Sequence, residues 1–340
     1  MTYDCFPFFN ELDLLEIRLN VLKDVVDKFV VVEAPWTHTG NPKPLYFNDN
    51  RQRFAAFQDK IIHVIASSPP VKKDAPLREN AWRRENFQRN EIVRGLVDAK
   101  PDDLIILSDL DEIPSPEAVL AVKSLSGVSR FRQKFYNFFL NYRNCSVPFW
   151  PIGTQACSYG TFLDPATYEG QRCDQFLLED VNPCPSMTRL RMIGASRTVR
   201  NGGWHFSYCG GIEAVRTKLA AFAHTECNFA KAADPKFISE ALESGKDPVC
   251  RNYRFFAEPI NDAGFPRYIL ENAAQYKHLV LPVDNAYLRR TRLPRAWVLA
   301  KGAAYRLMVK CIPEWLVPVA LRVRSWIFER RQASAWLCPD

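Results

Sequence analysis

Three short apolar runs constrain this 340-residue chain more than any other feature: VVDKFVVVEA (25–34), KIIHVIA (60–66) and DLIILS (103–108). They are continuous rather than alternating and rich in β-branched residues, which predicts strands buried on both faces, as in a parallel sheet. Residues 3–9 form a weaker opening strand. Helical patterns lie between the runs. Leu12, Leu15, Leu19, Leu22 and Val26 recur every three or four residues, one face of a helix that Asn10 would cap and Asp13 would favour electrostatically. Residues 81–97 read as a second helix, apolar at Trp82, Ile92, Val93 and Leu96, with Glu85 and Arg89 four residues apart. Such alternation over the first 112 residues implies an α/β chain. Its sheet would be mixed, Rossmann-like and doubly wound, with helices on both faces and ligands at the carboxyl ends of the strands.

Residues 130–210 are irregular and aromatic (Phe131, Phe135, Tyr136, Phe138, Phe139, Tyr142, Phe149, Trp150), predicting mixed strands and long loops. Short helices are expected at 216–224 and 235–244, and residues 269–281 finish the body. The net charge of +7 is unevenly placed. Residues 285–340 carry 11 Lys/Arg against 3 Asp/Glu, leaving 1–284 nearly neutral. The chain therefore divides into a body, 1–284, and a basic, helical, amphipathic C-terminal extension, 285–340. A neutral body excludes a nucleic-acid groove. The extension interleaves its charges with Trp297, Trp315 and Trp326, which points to an anionic membrane surface, while Pro313 and Pro318 exclude a spanning helix there. The ten cysteines show no zinc spacing and no disulfide-scaffold density, and residues 1–11 lack a signal-peptide pattern. The expectation is a cytoplasmic protein, peripheral on the inner face of the membrane.

The sharpest local feature is DLIILSDLDEIPSP. A buried strand ends at Ser108 and delivers Asp109, Asp111 and Glu112 into the expected crevice, after which Ser115-Pro116-Glu117 opens a helix. Two carboxylates one residue apart at a strand end suit a hard cation, Mn²⁺ or Mg²⁺, shared with a substrate's phosphates.

Several stretches together, FPFFNELDLLEIRL (6–19), VVDKFVVVEA (25–34), THTGNPKPLYF (37–47), KIIHV (60–64), WRRENFQRN (82–90), SDLDEIPSP (108–116) and GGWHFSYCGG (202–211), resemble glycosyltransferase family 17. The resemblance spans about residues 4–280. It implies a GT-A type fold, a UDP-sugar donor and inversion at the anomeric carbon. Carried over by position, it makes Asp109 and Asp111 the metal and donor-diphosphate motif, and it includes Trp204 and His205, the latter as a third metal ligand or a donor to the diphosphate. Glu33, at a strand end, would reach the donor's ribose or uracil. Lys43, Arg84 and Arg89 would neutralise the diphosphate. Asn10 and Glu11 would lie near the uridine. An inverting transfer also needs a base, for which Glu112 ranks ahead of Asp174, Glu179 and Asp180. The resulting expectation is transfer of a sugar, GlcNAc first, to a glycan or lipid-linked saccharide, with another UDP-sugar as the alternative donor. Two rivals from other classes are a metal-dependent phosphohydrolase and a non-catalytic glycan-binding module using the aromatics of 131–150.

Overall fold

The computed structural model describes residues 1–310 apart from 151, 170–177, 228–229, 250 and 262–263. The thirteen strands among these residues are β1 (Thr2–Phe8), β2 (Lys28–Glu33), β3 (Ile61–Ile65), β4 (Leu104–Leu107), β5 (Glu112–Pro114), β6 (Ser129–Phe131), β7 (Gln133–Asn137), β8 (Tyr142–Asn144), β9 (Phe149–Trp150), β10 (Gln155–Ser158), β11 (Arg197–Val199), β12 (Gly203–Ser207) and β13 (Phe255–Ala257). They form two sheets. The larger runs β11-β6-β10-β4-β1-β2-β3, and the smaller runs β13-β8-β7-β12-β5 with β9 alongside β7. The larger sheet is parallel across β4, β1, β2 and β3, and β10 enters it antiparallel between β4 and β6. The mixed α/β sheet expected from the three apolar runs is therefore present, with the weak opening strand inside it between β4 and β2.

Helices cover both faces. They are α1 (Leu12–Leu22), α2 (Tyr46–Asp49), α3 (Leu77–Asn90), α4 (Pro116–Val122), α5 (Tyr159–Leu163), α6 (Met187–Met192), α7 (Gly211–Ala221), α8 (Pro235–Glu243), α9 (Arg267–Glu271) and α10 (Asn285–Lys310). Side chains alternate along each strand, so β1, β2 and β4 feed two cores. Phe6, Phe8, Phe29, Val31, Leu104 and Ile106 pack with Leu15 and Leu19 of α1 and Val119 of α4 on one side. Tyr3, Cys5, Val30, Val32, Ile105 and Leu107 pack with Ile92, Leu96 and Leu190 on the other.

Two helical expectations need correcting. Asn10 does not cap α1; the cap position is Glu11, with no side-chain cap bond. The second helix begins at Leu77 and ends at Asn90, and its buried residues include Arg83, Asn86, Gln88 and Arg89. Of these, Gln88 and Arg89 line the cavity described below, while Arg83 pairs with Asp180. The helix start after the acidic turn is as expected, with the Ser115 side chain accepting from the Ala118 amide at 3.2 Å and Pro116 in the first turn.

The beginning of the basic extension is tied to the body. The Ala257 amide donates to the Tyr287 hydroxyl at 2.8 Å, and Arg295 lies 2.8 Å from Glu258. Trp315 and Trp326 fall outside the described residues. No described helix is long and apolar enough to cross a membrane.

Candidate active site

β4 ends at Leu107, and the chain turns through Ser108–Asp111 before β5. Arg18, fully buried on α1, holds this turn from beneath. Its Nη1 donates to the carbonyl oxygens of Asp109, Leu110 and Glu112 at 2.9, 3.0 and 2.9 Å. Its other nitrogens engage both oxygens of the buried Asp4, at 2.7 and 2.6 Å. Three carbonyls pointing at one guanidinium fix the backbone path, so the acidic side chains project the other way. β12 completes the floor. It pairs antiparallel with β5, placing His205 opposite Glu112, and the Phe206 amide donates to the Asp111 carbonyl at 2.8 Å. Gly203 permits that approach. Its φ is +121°, and a Cβ there would stand 2.1 Å from the Ile113 oxygen.

Each carboxylate of the turn has cationic partners. Asp109 accepts from Arg89 at 2.6 Å and from Arg191 at 3.2 Å. Asp111, almost wholly buried, lies 2.7 Å from the Lys218 ammonium and 3.4 Å from His205 Nε2. Burial alone would raise both carboxyls, but Arg89 and Arg191 at one, and Lys218 and His205 at the other, hold them well below the usual carboxylate range. Burial likewise opposes the Lys218 charge, yet Asp111 and Glu11 outweigh it and push its pKa up. Asp109, Asp111 and Lys218 are thus ionised through the neutral range. His205 is wedged between rings, parallel to Phe135 at 4.9 Å and 4.5 Å from Trp150.

Above the floor opens a cavity of roughly 270 Å³. Asp109, Asp111, Arg89, Lys218, Lys43 and Arg251 contribute its charge, and Glu11, His38, Glu85, His205 and His224 also line it. One wall is the loop after β2, joined to the end of α7 by the Thr39 hydroxyl donating to the Ala220 carbonyl at 2.9 Å. Asn10 borders an adjoining hollow, which shares Glu11 and Lys218 with the main cavity.

Four of the sequence-derived site residues stand elsewhere. Glu112 is fully buried outside the cavity lining; Arg191 engages both of its oxygens and the Trp150 indole donates to one. Glu33 is also fully buried. It accepts from the Phe47 and Asn48 amides at 3.0 and 3.3 Å and so anchors α2 rather than facing the crevice. Arg84 donates to the His38 carbonyl at 3.1 Å, propping the loop after β2. Trp204 donates to the Gly264 carbonyl at 2.7 Å and packs against the core. Of the remaining base candidates, Asp180 is paired with Arg83 and Lys72 outside the cavity lining, Glu179 does not line it, and Asp174 falls outside the described residues. Sequence reasoning missed Arg18, Arg191, Lys218 and Arg251. Only Arg18 left a local signal, a charge on the apolar stripe of α1 between Leu15 and Leu22.

Among the described residues no three His, Cys, Asp or Glu side chains converge into a set that could hold an ion unaided. The donor chemistry of Asp109, Asp111 and His205 nevertheless suits a hard cation that draws its remaining ligands from a phosphate. The arrangement weakens both rival readings. Asp4, the acid of the first strand, is buried against Arg18 and cannot serve as a phosphohydrolase nucleophile. Phe131, Phe135, Tyr136, Phe138 and Tyr142 are core residues rather than an exposed glycan platform.

The stretch that builds the turn, Arg18 and α3 has known relatives. Residues 1–145 match glycosyltransferase family 17. Beyond the family match, the chain is 26% identical over 305 residues to β-1,4-mannosyl-glycoprotein 4-β-N-acetylglucosaminyltransferase of Rattus norvegicus, an alignment covering 82% of this chain and 53% of the rat protein. The Homo sapiens protein of the same name is likewise 26% identical over 305 residues, with 82% and 54% covered. The chain thus spans about half the length of the curated relatives it matches. A crystal structure of M. tuberculosis glucosyl-3-phosphoglycerate synthase is 16% identical, covering 60% of this chain and 71% of that one, with a TM-score of 0.28. That likeness is slight.

Proposed function

We propose that the chain is an inverting glycosyltransferase of GT-A type that moves GlcNAc from UDP-GlcNAc to a saccharide acceptor, either a glycan or a lipid-linked saccharide. The observation that carries this reading is the Asp109-Leu110-Asp111 turn, itself within the stretch that matches the family, facing a cavity rimmed by Lys43, Arg89, Lys218 and Arg251. GlcNAc and a mannosyl-type acceptor follow the name of the relatives.

In this account the donor's diphosphate lies over the turn. Lys218 and Arg89 supply fixed positive charge where the departing UDP gains negative charge, and burial makes that charge effective. Arg191 is shared between Asp109 and Glu112, so Glu112 positions the floor instead of taking a proton. A Mn²⁺ or Mg²⁺ would be held by Asp109, Asp111 and His205 together with the phosphates, and would supply further neutralisation of the leaving group. The basic extension, residues 285–340, would attach the protein to an anionic membrane surface bearing the acceptor, on the strength of its excess of positive charge. The test is a screen of UDP-GlcNAc, UDP-glucose and UDP-galactose for enzyme-dependent release of UDP. Preference for UDP-GlcNAc is expected; release from none of them contradicts the proposal.

A further inference from the structure

We propose that the hollow enclosed by Lys134, Arg143, Asn144 and Arg295 is a second binding site, one that takes a phosphate monoester and is separate from the transferase centre. The cavity measures roughly 260 Å³. Strand alternation puts it behind the active site. Phe135 of β7 lines the active-site cavity, whereas its neighbours Lys134 and Tyr136 line this one, so the two open on opposite faces of the smaller sheet. β8 supplies Arg143 and Asn144, and Arg295 comes from α10, at the root of the basic extension.

Asn144 defines the kind of ligand. It is fully buried. Its Oδ1 accepts from the Val147 amide at 2.8 Å, and since a backbone N–H can only donate, that bond fixes which end of the side chain is oxygen. The other end, Nδ2, is buried and has no hydrogen-bond partner among the described residues. Buried side-chain polar atoms are mostly paired, so a donor placed in the wall of a cavity calls for an acceptor from outside the chain.

The surrounding charges make that acceptor an anion. Lys134, Arg143 and Arg295 stand against one acid, Glu258. Glu258 is itself engaged, accepting from the Tyr136 hydroxyl at 2.7 Å and lying 2.8 Å from Arg295. Arg143 spends its terminal nitrogens on neutral acceptors, the Tyr136 hydroxyl at 3.1 Å and the Pro148 carbonyl at 2.7 Å. Lys134 donates to the Gly264 carbonyl at 3.1 Å, and burial together with the Arg143 charge pushes its pKa down despite Glu258. Cys145 adds no negative charge, because burial pushes its thiol up to about 11. The lining thus holds two net positive charges. A phosphate monoester carries about −1.5 to −2 near neutral pH and offers several oxygens to guanidinium and amide donors, whereas one carboxylate would neutralise half of the lining.

The probe is inorganic phosphate, titrated calorimetrically into wild type, Asn144→Asp and Arg295→Gln as full chains at constant ionic strength. Phosphate that enters the active site contributes equally to all three, so the differences read the second site. Asn144→Asp keeps the Val147 bond and puts an anion where the donor was, so phosphate affinity should fall about tenfold or more, the scale of a lost hydrogen bond to a charged group. Arg295→Gln, at a side chain 30% exposed, removes one cation and should also weaken phosphate. UDP affinity should be the same in all three. Co-sedimentation with phosphatidylcholine vesicles containing phosphatidic acid separates the sources. If Asn144→Asp loses sedimentation along with phosphate affinity, the monoester is a lipid headgroup; if it loses phosphate affinity alone, the monoester is a soluble one. Should Asn144→Asp fail to fold, Arg295→Gln decides. Wild-type phosphate affinity in the folded variants overturns the site, as does a wild type with no saturable phosphate binding.

Discussion

Glu112 and Asp111 are neighbours in sequence with opposite surroundings. Asp111 lines the cavity between Lys218 and His205, whereas Glu112 is sealed behind it against Arg191 and Trp150. Replacing Glu112 by Gln leaves the Arg191 charge half-compensated in a buried place. Removing one partner of a buried pair typically costs about 3–5 kcal/mol, so the urea midpoint should fall accordingly. An unchanged midpoint would show that Arg191 has other support. The two aspartates of the turn set a pH dependence. The folded pKa values of Asp109 and Asp111 lie below the unfolded value, so their contribution to stability is complete above it and drains away as pH falls through the folded values. The urea midpoint should hold from neutral pH down to about pH 5 and drop below about pH 4, near the ordinary pKa of Asp. A midpoint rising on acidification would contradict the assignment.

Three elements converge on the acidic turn: α1 from beneath, β12 from the side and α3 from above. Arg18 is the hinge of that arrangement, since one guanidinium satisfies Asp4 and three turn carbonyls. Arg18→Met should cost at least about 3 kcal/mol in urea unfolding, because Asp4 is left buried and uncompensated. UDP affinity in the surviving folded fraction should fall with it, and a variant as stable as wild type would refute the clamp. These elements were unequally legible. The turn could be read locally because an apolar strand, two acids and a Ser-Pro helix start follow one another within 14 residues. The inner face of α3 could not: Arg83, Asn86, Gln88 and Arg89 look like a solvated helix surface until the fold closes over them. Lys218 meets Asp111 across 107 residues, and no local pattern encodes a contact of that length. Glu33 misled for the opposite reason. Its strand end does point toward the crevice side, but the loop that follows folds back and takes the carboxylate for its own amides.

At the scale of the whole molecule, the cavity joins the two sheets, with β4 of the larger delivering the acids and β12 and β7 of the smaller delivering His205 and Phe135. The boundary near residue 284 cuts through contacts, since Tyr287 and Arg295 reach Ala257 and Glu258. A chain ending at residue 284 should therefore melt at a lower temperature than one ending at residue 310, as scanning calorimetry would record; equal melting would show these contacts to be energetically idle. Binding of the full chain to anionic liposomes, but not of the chain ending at 310, would place any membrane attachment in the later residues. The central claim is that a nucleotide diphosphate lies over the Asp109–Asp111 turn against Lys218. Its most direct test is calorimetric titration of UDP into the full chain and into Lys218→Met, with and without Mn²⁺. The account predicts saturable one-to-one binding that Mn²⁺ tightens, and a loss of roughly tenfold or more in Lys218→Met, the value of a hydrogen bond to a charged group. Failure of the wild type to bind UDP, or equal affinity in the two proteins, would contradict it.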